Sequence, residues 1–324
     1  MKHRKLMLLT VTTAWILCST LIIQSPLARR LSKENLASAI GQNSNRAQEV
    51  LKQAREALGG EAKLKTIQSL SATAKYRRVI QGADTSGELE VEMLLPDKYI
   101  KNETMSMMGA EITRVEALSG DKAWADTRSG GSGMVVVRNA PPGADPKLAE
   151  AALRQRTREE FARILLGWLL TTPTTVPVEF SYVGEAEAPD GRADVIEAKG
   201  ADNFTARLFF DQKTHRPLML SYRGIPPQAG MRMSTMGGMD HAPSQEEIEK
   251  MRKEAQEKAA KEAEAMPKPK DSELQWRFSD YRNVNGISFP HHITKVTDNQ
   301  VTEEWEMTKF KVNPSLKPEK FEKK

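Results

Sequence analysis

Side chains that could do chemistry are few in this chain, and their spacing argues against catalysis. There are five histidines and a single cysteine in 324 residues. His291 and His292 are neighbours in an alternating segment, so a strand there turns their rings to opposite faces and denies them a shared metal. No His-Glu-x-x-His, Gly-x-Ser-x-Gly, phosphate-loop or dinucleotide-binding pattern occurs. The paired carboxylates Glu88/Glu90/Glu92 and Glu303/Glu304 alternate with other residues in the manner of the watered side of strands. Asp280, beside Tyr281 and Arg282, fits a buried polar cluster and a structural turn equally well. The pattern Met231-x-Met233-x-x-Met236-x-x-Met239-x-His241 offers thioethers and an imidazole, donors that suit Cu(I). The same methionines also serve as adaptable apolar contacts in a loop, and Met105, Met107 and Met108 form a second small group of that kind. No nucleophile has a visible base. The expectation is a protein that is not an enzyme, with no cofactor and no resident metal; the Met231–His241 pattern is the candidate metal site.

The elements around these residues are mostly strands. From Glu88 to Met93 acidic and apolar residues alternate strictly, the pattern of a strand with one greasy and one wet face. Similar alternation recurs at Val178/Phe180/Tyr182, Leu208/Phe210, Leu218/Leu220/Tyr222, Leu274/Trp276/Phe278 and Trp305/Met307. The spacing predicts strands over 70–81, 87–95, 99–105, 111–118, 122–128 and 134–137. A second series is predicted over 176–185, 193–199, 204–211, 217–224, 273–281, 286–297 and 301–312, with Gly, Asp, Asn and Pro at several of the turns. An antiparallel sheet with one solvated face must have its other face covered.

Helices supply that cover. Ala47, Val50, Leu51, Ala54 and Leu58 form one stripe of a helix that Asn45 can cap and Gly59-Gly60 ends. A short second helix is predicted over 61–69. In the middle of the chain, Asp145-Pro146 is a cap followed by a first-turn proline. Thr157 with Glu160 has the form of a capping box, after which Phe161, Ile164, Leu165, Trp168 and Leu169 share a face. The fold class expected is α+β: a strongly curved antiparallel sheet, an incomplete β-barrel of about 11–12 strands, with helices as a lid.

Residues 1–30 resemble an export segment, with Lys2, His3, Arg4 and Lys5 before an apolar run from Leu6 to Ile23. Both a cleaved signal peptide and an uncleaved anchor fit, since the run is near the lower length of a spanning helix, roughly 17–25 residues. Cys18 lies inside this run, which leaves no thiol or disulfide chemistry for the exported part. A periplasmic location follows, with tethering to the inner membrane if the segment stays. Residues 31–44 read as a linker and 45–324 as one domain. The composition, 39% hydrophobic and 28% charged with a net charge of +5, suits a soluble domain. Its excess charge sits partly at the two ends of the chain, which leaves no nucleic-acid footprint. Residues 226–272 break the strand pattern: the methionine pattern comes first, then a charged helix begun by Ser244 and Glu247. Its Glu-before-Lys pairs, such as Glu246/Lys250 and Glu257/Lys261, let it stand in water. This segment reads as an insertion projecting from a hairpin loop.

The order of short motifs resembles a known family. After the export segment come Ala54-Arg55-Glu56-Ala57-Leu58-Gly59-Gly60, then 87–95 running into Pro96-Asp97-Lys98, then Gly120-Asp121-Lys122-Ala123-Trp124. Later come Leu208-Phe209-Phe210-Asp211 with Thr214, Phe278-Ser279-Asp280-Tyr281-Arg282 leading to Gly286-Ile287-Ser288-Phe289-Pro290, and Phe310 to Asn313. The series is similar to LolA/LolB-like outer-membrane lipoprotein-sorting proteins over about residues 45–225 and 273–321. The resemblance implies an incomplete, curved barrel with a helical lid and acyl chains held between them. The chain is longer than those carriers and has the insertion at 226–272. No ligand residue carries over by motif.

The function expected is non-catalytic binding of lipid or lipoprotein acyl chains in the periplasm. The partners would be acyl chains of lipoproteins or phospholipids. Alternation assigns Leu89, Val91, Met93, Trp124, Leu208, Phe210, Leu218, Leu220, Trp276, Phe278 and Trp305 to the lining, with Phe161, Leu165 and Trp168 from the lid. The rival expectation is an envelope interaction or scaffold protein that has no lipid cavity and grips a protein partner through 226–272.

Overall fold

A computed structural model describes residues 26–80, 83–107, 110–130, 134–138, 146–188, 191–226, 231–235, 249–250, 253–254 and 271–323. The elements run α1 (Pro26–Ala57), α2 (Glu61–Leu64), β1 (Ser69–Ile80), β2 (Ala83–Leu94), β3 (Lys98–Met107), β4 (Ala110–Ser119), β5 (Lys122–Gly130) and β6 (Met134–Arg138). Then follow α3 (Pro146–Leu169), β7 (Val178–Ala188), β8 (Gly191–Gly200), β9 (Thr205–Asp211), β10 (Pro217–Gly224) and β11 (Met231–Thr235). The last strands are β12 (Ser272–Val284), β13 (Ile287–Thr297) and β14 (Gln300–Val312), ahead of a 3-10 turn at Pro318–Phe321. Asn43–Lys324 forms one compact unit. Among the described residues no helix is long and apolar enough to cross a membrane.

Twelve strands form one open antiparallel sheet in the order β5-β4-β3-β2-β1-β14-β13-β12-β10-β9-β8-β7. Three hairpin-linked runs build it, and the first strand pairs with the last, Leu70 opposite Val312. The expected α+β half-barrel is therefore present, and nearly every predicted strand appears within a few residues of its expected ends. Bulges at Thr73/Ala74, Tyr182/Gly184, Pro217/Met219 and Lys295/Val296 interrupt the register. An extra residue on one strand of a pair bends that strand and increases its twist, so these sites curve the sheet.

The inner face carries the main core. Leu70, Ala72, Ala74 and Tyr76 alternate along β1, with Leu89, Val91 and Met93 beside them on β2, and all are buried. The stripe Ala47, Val50, Leu51, Ala54 and Leu58 of α1 joins the same cluster. α1 ends against the β12–β13 turn, where Ser288 N–H donates to the Leu58 carbonyl at 2.8 Å. Gly59, at φ 128°, makes that approach possible, because a Cβ there would lie 2.3 Å from the Gly286 oxygen.

Three helix boundaries differ from expectation, the first being α2, which stops at Leu64 and not at residue 69. The predicted linker 31–44 is helical, since α1 begins at Pro26 and Asn45 lies inside it. α3 is one helix from Pro146, and Thr157 is not a cap: its hydroxyl donates to the Leu153 carbonyl one turn back, at 2.8 Å. The strand β11 was not expected either. It pairs with β6 in a two-stranded ribbon, Met233 opposite Val136, and so ties residues 231–235 to a segment almost a hundred residues earlier. Met236, Met239, His241 and most of the stretch expected to form a charged helix lie outside the described residues, as do residues 1–25 of the expected export segment.

The convex face has a smaller core of its own. Ile100, Val115 and Ala117 surround Phe321, which is fully buried three residues from the end of the chain. Trp124 donates its indole N–H to the Phe321 carbonyl at 2.8 Å, and Ser119 donates to Glu322 at 2.6 Å. Lys320 pairs with Glu92, which is buried here and not on a watered strand face as expected.

Candidate functional site

The inner wall and α3 together make the site. α3 lies over β4 and β5 and reaches toward β10, and every residue from Phe161 to Leu170 is buried. Gly167 lets the helix sink onto the sheet, since a Cβ there would come within 2.5 Å of the Phe278 ring. Phe161 stacks on Tyr99 of β3 at 5.2 Å, and Trp168 meets the edge of Phe310 on β14 at 5.3 Å. The helix ends at Leu169; the next residue, Leu170, is held at φ 53° with its side chain buried, and Arg55 of α1 donates to its carbonyl at 3.3 Å.

Twelve of the residues assigned to the lining and lid come together here. Leu89, Val91, Met93, Phe161, Leu165, Trp168, Leu208, Phe210, Leu220, Trp276, Phe278 and Trp305 belong to one cluster, none more than 4% exposed. At that exposure almost no water-sized space touches them; the chain's own side chains fill this wall. Two assignments fall elsewhere. Leu218 is 40% exposed, because the bulge at Pro217/Met219 breaks the alternation that would have turned it inward. Trp124 points to the convex face, and its neighbour Ala123 takes the inner position on β5.

Beside the apolar wall lies a patch of buried charge that the sequence reading did not find. Arg78 on β1 donates to both oxygens of Glu103 on β3, at 3.0 and 3.3 Å, and also to Glu303 on β14. Lys101 on β3 sits 2.7 Å from Glu160 of α3, 3.5 Å from Glu103 and 3.7 Å from Glu116 of β4. Arg156 of α3 reaches Glu116 at 2.8 Å, and Arg114 lies 4.0 Å from Glu103. Lys295 of β13 lies 3.2 Å from Glu303, its ammonium 3.9 Å from the Trp305 ring centre and 4.6 Å from that of Trp276. Gly87 on β2 lets β3 come close, since a Cβ there would lie 2.1 Å from the Thr104 carbonyl oxygen and 3.0 Å from the Tyr76 ring.

The electrostatics follow from crowding in a dry place. Burial disfavours the charged form of Glu103, but Lys101 and Arg78 outweigh it and hold the carboxyl well below its ordinary range. Burial likewise opposes Lys101, and Glu160 and Glu103 overcome it, so its pKa is raised. Lys295 goes the other way: burial lowers it, and Glu303 and Glu160 offset that only in part. The Tyr76 hydroxyl is pushed up to about 12, first by burial and then by Glu103. The hydroxyls of Tyr76 and Tyr99 and the indole N–H of Trp168 are buried with no hydrogen-bond partner among the described residues.

The other chemical candidates have structural roles. His291 is buried with Nδ1 3.0 Å from the Phe289 carbonyl, and His292 lies against Thr294 at 3.2 Å. Asp280 pairs with Arg282 on the exposed side, and Tyr281 donates to the Pro217 carbonyl at 2.7 Å. Of the paired carboxylates, Glu304 pairs with Arg77 at 2.9 Å near the surface, whereas Glu303 is in the buried patch. Among the described residues no group of three His, Cys, Asp or Glu could hold a metal ion. An open groove of about 570 Å³ outside the wall is lined by Glu49, Lys52, Gln53, Glu56, Ala57, Thr214 and His215.

No family model matches the chain, and no curated protein matches it. Solved structures similar to it include a LolA superfamily protein from Nitrosomonas europaea, with 11% identity and a TM-score of 0.45 over 86% of this chain and 97% of that one. A domain assigned to outer membrane lipoprotein sorting in Vibrio parahaemolyticus has 12% identity and a TM-score of 0.43, over 85% and 97%. A DUF1329 family protein from Desulfovibrio piger has 8% identity and a TM-score of 0.40, again over 85% and 97%. At these identities and scores the likeness carries no argument about what this chain does.

Proposed function

We propose that this chain is an exported, non-catalytic lipid- or lipoprotein-binding protein of the periplasm, which takes an acyl chain in exchange for the second half of α3. The observation that carries this reading is the join between α3 and the sheet. The inner wall is a continuous apolar surface, and what covers it is a helix whose first half is fastened by ion pairs to side chains of the sheet. Ion pairs can be exchanged for other polar partners when a helix lifts away, whereas the wall beneath needs an apolar replacement. An acyl chain supplies about 0.8 kcal/mol per buried CH₂, so a chain of about sixteen carbons offers on the order of 12 kcal/mol. That is of the size needed to offset the lost helix contacts.

Organic extraction of the purified protein, followed by mass spectrometry, should yield bound lipid, and a fluorescent acyl probe should bind and be displaced by it. Lipid-free protein that ignores the probe would end this reading. One observation favours a second one: the wall is already filled, as expected of a protein that uses the sheet as a scaffold and binds a protein partner outside it. Deleting 226–272 should then abolish binding of that partner while leaving the fold intact; an unaltered partner set would exclude this role.

A further inference from the structure

The buried patch is unevenly divided between the sheet and the helix. The sheet contributes Arg78, Lys101, Arg114 and Lys295 against Glu103, Glu116 and Glu303, one cation more than it has carboxylates. α3 supplies the missing anion, Glu160, which meets Lys101 at 2.7 Å. The helix's own cation, Arg156, stays at the rim with its side chain 58% exposed. The other carboxylates near Lys101 are shared with arginines, Glu103 with Arg78 and Arg114, and Glu116 with Arg156. Beside Lys101, the fully buried Tyr99 hydroxyl has no hydrogen-bond partner among the described residues, and Phe161 of α3 covers its ring. An uncompensated charge in such a place is costly, so whatever displaces the helix must also replace its carboxylate. The apolar wall continues from this point, with Met93 and Leu118 buried in the same cluster as Tyr99.

Resting on the lipid-binding reading, we propose that Lys101 and the Tyr99 hydroxyl receive the anionic headgroup of a single-chain or phosphate-bearing lipid, and that Glu160 occupies that place while the helix is down. The guest is thus an amphiphile with a carboxylate or phosphate at the end of its hydrocarbon, not a neutral acyl group. Glu160 acts as the guest's stand-in: its oxygen accepts from the Lys101 ammonium as the headgroup oxygen does after exchange.

Dodecanoate and dodecanol share a tail and differ in the charge of the head, and titration calorimetry below their aggregation limits compares them directly. The intact protein should bind dodecanoate at least tenfold more tightly. Glu160→Gln should widen that ratio several-fold, by removing the internal competitor, and Lys101→Met should bring it close to one. Equal binding of the two probes by the wild-type protein, or a ratio unmoved by Glu160→Gln, overturns the headgroup assignment and leaves the lipid-binding reading standing. Binding of neither probe overturns both. If Lys101→Met does not fold, as judged by circular dichroism, the wild-type ratio and Glu160→Gln decide alone. Inorganic phosphate by itself should bind at least a hundredfold more weakly than dodecanoate; comparable affinity would make this a site for free anions and defeat the proposal.

Discussion

The two halves of α3 are joined to the same sheet by different chemistry. Up to Glu160 the helix is exposed or half-buried except at Thr157, and its inward links include the pairs Arg156–Glu116 and Lys101–Glu160. From Phe161 to Leu170 every residue is buried, and the one charged side chain there, Arg163, lies over the Tyr222 ring at 3.8 Å and pairs with Glu159. Apolar contacts lose their free energy when water enters, while ion pairs exchange one set of polar partners for another. The first half comes free by exchanging polar partners, whereas the second half supplies the holding strength and lifts only when an apolar guest replaces it.

Substitutions can break this contrast. The largest effect belongs to Trp168→Ala, which empties a fully buried position between the helix and Phe310 and should cost about 3–5 kcal/mol in urea denaturation. A loss below about 1 kcal/mol would remove the second half's role as anchor. Next, Lys101→Met should cost about 3 kcal/mol, because it strands Glu160 and its neighbours in a dry site. Adding Glu160→Leu should restore most of that, since an apolar pair of similar volume is nearly as stable; no recovery would mean that the patch is held by more than charge balance.

Acid sharpens the comparison. Glu103, Glu160 and Glu303 all titrate below the ordinary carboxylate value, because neighbouring cations outweigh their burial. Their contribution is whole above the unfolded-state value of about 4.3 and is lost as pH falls toward the folded-state values, at about 1.4 kcal/mol per unit of depression. The melting temperature should therefore drop steeply below about pH 4, and Glu160→Gln should flatten that limb. The smallest effect is Arg156→Ala: its side chain is mostly exposed, so the stability change should stay below about 1 kcal/mol.

Periodicity was a good guide wherever one face of an element is apolar and the other wet. That is why the strands, and the stripe Phe161, Ile164, Leu165, Trp168 and Leu169, could be read directly. It misled wherever a polar residue faces inward. Glu303 and Glu92 alternate as surface carboxylates do, and only the partner strand and the C-terminal turn decide that they are buried. Thr157 and Glu160 imitate a helix start, although one bonds back along the helix and the other crosses to β3. A signal for the charged patch was present in the oppositely charged Lys101 and Glu103, two residues apart on one face of β3. Its other members come from strands and a helix that only the fold brings together. Leu218 shows the remaining limit: one extra residue in a strand inverts an assignment, and bulges leave little trace in composition.

The pairing of β1 with β14 also has a consequence for how the molecule is made. The ribosome finishes the central seam of the sheet last, because strands that lie side by side there are separated by more than two hundred residues of chain. Until the C-terminus emerges, the growing polypeptide has an oily, unpaired edge in the middle of its future interior, and closure over so long a loop is slow. A premature stop codon before residue 300 would leave two half-sheets with nothing to join them.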